Sequence, residues 1–328
     1  MPGRKPLRTS YVAPFDIAAP LPEDTLAYLQ FGADAPAHPD ARAFTVALQP
    51  IGDAPTCEWW RGSGAVTSGR SGEVRYAHDG EHLFGRLELD EHAHGGIEPA
   101  ADRGYRRMLE FTRDCGFPHL VRIWNYFDAI NSGSGDDERY RRFCVGRAAA
   151  LAAEYPPERL PAATAIGRPG RRATLQLYWI ATRASGVAVE NPRQESAYRY
   201  PRRYGPAAPS FSRAMTLDGR ILLVSGTASV VGHATNHAGD VLAQLDETLA
   251  NLTSLCEAAA RSNAQIPTAL TPASLLKVYV RDPADDAAVR TALTSRLPPG
   301  CTPLYLRGDI CRADLLLEID AVHVAPGD

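Results

Sequence analysis

The chain has 328 residues, 45% hydrophobic and 22% charged, the proportions of a folded globular protein long enough for two domains or one large one. A formal net charge of −3 gives no overall attraction for nucleic acid or an anionic membrane, so an anionic ligand must be held by a local cluster of arginines. The six cysteines form no CxxC pair, no run approaches ~20 apolar residues, and the start MPGRKPLRTSYVAPF lacks the apolar core of a signal peptide; a reduced, cytoplasmic protein without membrane contact is expected.

Residues 1–40, rich in Pro, Ala and Asp, read as an irregular lead-in to an N-terminal α+β domain over 41–190. Strand-like runs occur in FTVALQPI (44–51) and EVRYAHDGEHLFGRLELDE (73–91), the latter around a His78-Asp79-Gly80 turn. A helix at about 100–115 precedes the strand HLVRIWNYF (119–127). The helix ERYRRFCVGRAAALAAEY (138–155) and strands near 163–167 and 173–183 complete this half. A Tyr- and Arg-rich linker over 191–213 leads to a C-terminal domain over 214–328. There ILLVSGTASV (221–230) reads as a strand running into a loop, and Asp240 caps a helix with Val241, Leu245, Leu249, Leu252 and Cys256 on one stripe. The strand LLKVYVRD, a shorter helix and the closing strand CRADLLLEIDAV follow. Strand, helix, strand, helix, strand thus occurs twice, which predicts two α+β halves of related layout.

In the closing strand, Leu315, Leu317 and Ile319 share one face and Leu316, Glu318 and Asp320 the other. Such a glutamate is either solvated on an outer face or lodged in a pocket wall. On the helix at 138–155, Tyr140, Phe143, Cys144 and Arg147 fall on one face, either as packing or as a grip for a carboxylate. Tyr198, Tyr200, Tyr204, Arg202 and Arg213 share one irregular segment, suited to a flat anion or to filling a seam between halves. Metal is not expected: His78, His82, His92 and His94 sit on a turn and a loop without cysteine or an HExxH helix. NSGSGDD (131–137) lacks the lysine of a phosphate loop, and VSGTASVVG does not fit a serine-nucleophile elbow.

Three long motifs in order, WNYFDAIN…ERYRRFCVGRAAAL, ENPRQESAYRYPRRYGPAAPSFSRA and SGTASVVGHATNHAGDVLAQLDETLANL, resemble the chorismatases over about residues 119–323. The C-terminal half also resembles the YjgF/RidA superfamily. The resemblance implies an α+β fold of two YjgF-like halves, each a mixed sheet packed by two helices, with the active site in a cleft toward the C-terminal half. It implies a cofactor-free enzyme whose partner is the small molecule chorismate, with monomer and trimer both open. The expected reaction yields pyruvate and 3-hydroxybenzoate, with or without 4-hydroxybenzoate. A hydrolase giving a dihydroxycyclohexadiene carboxylate, and a non-catalytic small-anion binder, are the alternatives. Carried over by motif, Glu318 is the acid/base residue, while Tyr140, Arg147, Arg213 and a tyrosine of AYRY (Tyr198 or Tyr200) hold the substrate. Cys311 matches the cysteine of hydroxybenzoate producers, and Ala228 would bear on the product mixture. Cys311 and Glu318 are an odd seven residues apart, so both line one pocket only if residues 312–314 contain a bulge or turn.

Overall fold

The computed structural model describes residues 7–35, 38–52, 56–170 and 172–325. Three sheets organise it. A small sheet holds β1 (Arg8–Val12), β2 (Thr25–Phe31), β3 (Ala43–Val46) and β4 (Cys57–Arg61), in the spatial order β1-β4-β2-β3. The N-terminal half contributes β5 (Thr67–Ser71), β6 (Val74–His78), β7 (His82–Asp90), α1 (Ile97–Asp114), β8 (His119–Asp128), α2 (Arg139–Leu151), β9 (Ala162–Arg168) and β10 (Thr174–Thr182). The C-terminal half contributes β11 (Val187–Val189), β12 (Ala214–Leu217), β13 (Ile221–Thr227), the ribbon β14 (Val230–Val231) with β15 (Ala234–Thr235), α3 (Val241–Ser262), β16 (Leu275–Val280), α4 (Asp286–Arg296), β17 (Leu304–Arg307) and β18 (Leu317–Val324).

The two halves repeat one topology. Their sheets run β5-β6-β7-β10-β8-β9 and β11-β12-β13-β18-β16-β17, and in each only the last pair is parallel. In both, the two helices sit at the same steps of the chain. The small sheet repeats the last four positions, with β2 and β3 as its parallel pair.

Two boundaries differ from expectation. The lead-in carries β1 and β2, whose short strands give little periodic signal because β2 is buried on both faces and β1 is half-buried throughout. The C-terminal sheet begins at β11, ahead of the linker, because Val187–Val189 pairs with β12. Asp240 caps α3 as expected, accepting from the Leu242 and Ala243 amides. The stripe packs with Leu245, Leu252 and Cys256 fully buried and Val241 and Leu249 at its edge.

The sheets meet at a buried polar centre. The Lys277 ammonium on β16 donates to Glu58 Oε2 on β4 (2.9 Å) and the Tyr178 hydroxyl on β10 (3.3 Å), and lies 3.8 Å from Asp320 Oδ1 on β18. Of the two lysines in the chain, this one is a compact charge shared by all three sheets.

A second link joins the turns that open β7 and β13. His82 bonds Asp79 Oδ2 through Nδ1 (3.1 Å) and Asp218 Oδ2 through Nε2 (2.9 Å). Burial alone would lower the imidazole's pKa, but the bonds to Asp218 and Asp79 outweigh it and carry it up to about 9. A folded-state value above the unfolded ~6.5 means the stabilisation is complete below pH ~6.5 and lost as pH rises through about 9. Asp218 is half-exposed, so the effect is about 1–2 kcal/mol. Thermal denaturation of wild type and His82→Gln from pH 6 to 10 is expected to give melting temperatures that converge above pH 9; a constant gap would remove the ion pairs as the cause.

Candidate active site

The site grows from the face of β18 that period two assigns to Leu316, Glu318 and Asp320. A solvated outer face is overturned here: Glu318 is 4% exposed and Asp320 is 2% exposed, because the N-terminal half packs over that face. The two carboxylates differ sharply. Asp320 Oδ2 accepts from Trp124 Nε1 (3.1 Å), Thr164 Oγ1 (3.1 Å) and the Tyr279 hydroxyl (2.8 Å), beside the Arg122 guanidinium at 3.3 Å. Glu318 has no such donor among the described residues. Burial, then the charge of Asp320, push its carboxyl up to about 8, against the opposing pull of Arg122 and Arg213.

Beside Glu318 runs β13, whose register slips between Val224 and Thr227. Ser225 at the slip is a stitch between halves: its hydroxyl accepts from the Ala163 amide (2.9 Å) and donates to the Ser212 carbonyl (2.6 Å). Next to it, Gly226 lies directly under the Glu318 carboxyl, and a β-carbon there would overlap Oε1. Glycine inside a strand marks such a close approach.

A cavity of about 460 Å³ opens between the halves over this pair. Tyr140 enters from α2, Tyr200, Phe211 and Arg213 from the linker, and Ala228, Cys311 and Glu318 from the C-terminal half. An inner extension of about 30 Å³ shares Tyr140, Phe211, Gly226, Cys311 and Glu318 and ends at Arg147. Cys311 and Glu318 do meet. Residues 311–314 are not strand but a turn, closed by the Leu315 amide on the Arg312 carbonyl (3.1 Å), which cancels the odd spacing.

Two buried guanidiniums, one at the cavity and one at its inner extension, have no carboxylate within 4.0 Å among the described residues. Arg147, 1% exposed, points inward because Gly146 lets α2 lie on the first turn of α1, where a methyl would overlap the Glu98 carbonyl. Its plane sits 5.1 Å from the Phe143 ring and 5.9 Å from Phe211, and its Nε has no partner. Arg213, 5% exposed, donates to the Tyr200 hydroxyl and the Glu195 carbonyl, both at 2.7 Å, and its Nε is also unpartnered. A buried cation without a counter-ion is costly unless an anion joins it.

Tyr140 has the Cys144 and Cys311 thiols as near neighbours, and its burial raises its hydroxyl well above the usual range. The Cys311 thiol is raised to about 12, first by burial and then by Glu318, so it is protonated at neutral pH. The Ala228 carbonyl, held by Asn251 Nδ2 at 3.0 Å, pins the loop that carries the Ala228 methyl. Of the two tyrosines in AYRY, Tyr200 lines the cavity; Tyr198 packs on the N-terminal core with Arg199 over its ring at 5.6 Å. His82 is taken up by its aspartates, and His92 and His94 sit on a surface turn.

Three site residues lie outside the sequence expectation: Gly226, Phe211 and Arg312, whose guanidinium stacks 4.3 Å from the Tyr204 ring. Gly226 had a readable signal as a glycine in a strand pattern. Arg312 had none beyond its place in the expected bend.

A family model for the N-terminal part of FkbO/Hyg5-like chorismatases matches residues 58–181. A chorismatase from Streptomyces rapamycinicus is 41% identical over 282 residues, 82% of this chain and 83% of the relative. A 3-hydroxybenzoate synthase from Streptomyces hygroscopicus is 37% identical, over 82% of this chain and 81% of the relative. A crystal structure of a chorismatase superposes with a TM-score of 0.85 at 31% identity, covering 97% of this chain and 98% of the other. With identity of this extent carried along most of both chains, and the same fold from end to end, the protein belongs to the chorismatase family.

Proposed function

We propose that the protein cleaves chorismate to pyruvate and 3-hydroxybenzoate, with or without 4-hydroxybenzoate. The observation that carries this reading is, among the described residues, a buried carboxyl without a hydrogen-bond donor, in a cavity it shares with two buried guanidiniums that lack carboxylate partners. Chorismate is a dianion, with one carboxylate on its ring and one on its enolpyruvyl arm. Arg147 with Tyr140, and Arg213 with Tyr200, supply two separate grips. Glu318, protonated below pH ~8, delivers its proton to the terminal methylene of the enol ether. An oxocarbenium ion forms, and the carboxylate left behind stabilises it at short range.

The fate of the ring turns on Cys311. The sulfur bonds to the ring carbon as that carbon's bond to the ether oxygen breaks, its electron pair turning the oxocarbenium into the ketone of pyruvate, and the thiol proton passes to the Glu318 carboxylate in the same inner cavity. The neighbouring ring hydroxyl then displaces the sulfur, returning the thiol, and the epoxide so formed opens with loss of a ring proton to give 3-hydroxybenzoate. The raised thiol also supports a second reading, in which water alone attacks and the product is the dihydroxycyclohexadiene carboxylate.

Purified protein incubated with chorismate in EDTA, coupled to lactate dehydrogenase, is expected to release pyruvate. No release above the uncatalysed rate would leave a non-catalytic anion binder. Chromatography of the ring products then decides between the two outcomes for the ring. Cys311→Ala is expected to cut the 3-hydroxybenzoate share at least about fivefold while pyruvate release persists; an unchanged share would remove the thiol from the reaction.

A further inference from the structure

The repeated topology assigns a counterpart to Glu318. Val324 of β18 pairs with Ile221 at the start of β13, and Thr182 of β10 pairs with His82 at the start of β7. Six residues back along each closing strand (324 to 318, 182 to 176) stand Glu318 and Gln176. The other neighbour agrees: Glu318 faces Tyr279 on β16, and Gln176 faces Tyr126 on β8. Around Gln176 lies a cleft of about 430 Å³, close to the size of the active one. Its walls have the same origin. The active cleft uses β13, β18 and the parallel edge strand β9 of the neighbouring sheet, through Ala163 and Ala165. The second cleft uses β7, β10 and β3, the parallel edge strand of the small sheet, through Ala43 and Thr45. No counterpart of α2 reaches it, so cations come from the strands themselves.

Three wall residues carry unmet polar demand: Arg86, Gln176 and His38, whose Nε2 is unpartnered. Arg86 stacks on the Phe44 ring at 4.8 Å and donates to the Ala43 carbonyl (3.1 Å), but its Nε is unpartnered and no described carboxylate pairs with it. Burial, then the charge of Arg75, lower it to about 10. Gln176 donates to the Thr45 carbonyl (3.1 Å) and Glu88 Oε2 (2.8 Å), so its amide orientation is set, and its Oε1 has no donor. Two carboxylates also line the cleft. Glu73 is paired with Arg103 and Glu88 is bonded to Gln176, which leaves the arginines in excess.

The geometry points to a second ligand site, for a small hydroxylated aromatic carboxylate held by Arg86 against Phe44. With an amide where the active cleft has an acid, this site has no proton to deliver and holds its ligand without turnover. The inference is independent of the reaction assigned to the other cleft.

The test is isothermal titration of the full chain with 3-hydroxybenzoate, for wild type, Arg86→Met, Gln176→Leu and Arg213→Ala. Wild type is expected to show binding that Arg86→Met weakens at least tenfold and Gln176→Leu weakens measurably, and that Arg213→Ala leaves in place. Any binding at the active cleft adds a second equivalent with the opposite dependence. Binding insensitive to both Arg86→Met and Gln176→Leu, or no binding, overturns the assignment. If Arg86→Met fails to fold, by circular dichroism, the near-isosteric Gln176→Leu decides alone. Neither variant is expected to change the initial rate of pyruvate release when no carboxylate product has accumulated.

Discussion

Glu318→Gln is expected to lower kcat for pyruvate release about a thousandfold while chorismate affinity stays within about tenfold, because it removes a transferable proton and little else. The amide keeps the size and polarity of the acid, and the Arg147 and Arg213 guanidiniums are untouched. The same proton sets the pH profile. A carboxyl raised to about 8 is mostly protonated at neutral pH and ionises above that. Activity is therefore expected to fall about tenfold per pH unit beyond about pH 8, with no matching loss on the acid side from this group. A variant that keeps a tenth of wild-type kcat, or a wild-type profile flat through pH 9.5, would take Glu318 out of the proton transfer.

Gly226→Ala is expected to lower kcat about a hundredfold with the melting temperature within about 3 °C of wild type. The added methyl would overlap Glu318 Oε1, and the obstacle is the far end of a movable side chain, so the carboxyl swings aside and the strand stays. Displacing the acid by an ångström or so costs rate without costing fold. Wild-type turnover in this variant would mean that the reacting geometry does not depend on the observed position of the carboxyl. A large loss of stability instead would mean that the β13 backbone is the part that yields.

These variants rest on residues of unequal legibility. Helices and strands with a clear period were readable: the stripe of α3 and its Asp240 cap, β8, β16, and the twofold recurrence of strand and helix. Local chemistry determines such elements, so local sequence reveals them. The need for a bend at 312–314 followed from counting once the resemblance had put Cys311 and Glu318 in one pocket, since an odd spacing cannot keep them on one face of a straight strand. Of the small sheet only β3 was readable, in the run FTVALQPI. Its four strands are short, and their pairing is settled by neighbours far along the chain.

Period two placed Glu318 and Asp320 together on one face of β18, and that much belonged to the sequence. What covers the face did not. Packing of the N-terminal half buries both, donors from β8, β9 and β16 satisfy Asp320, and none reaches Glu318, so two carboxylates two residues apart acquire different chemistry. Tyr200 over Tyr198, and the lack of a carboxylate partner at Arg147 and Arg213, were decided in the same way. The match between Gln176 and Glu318 lies deeper still, since the halves share pairing register rather than residues. A sequence records which side chains share a face; solvation and charge at that face come from whatever the rest of the chain lays against it.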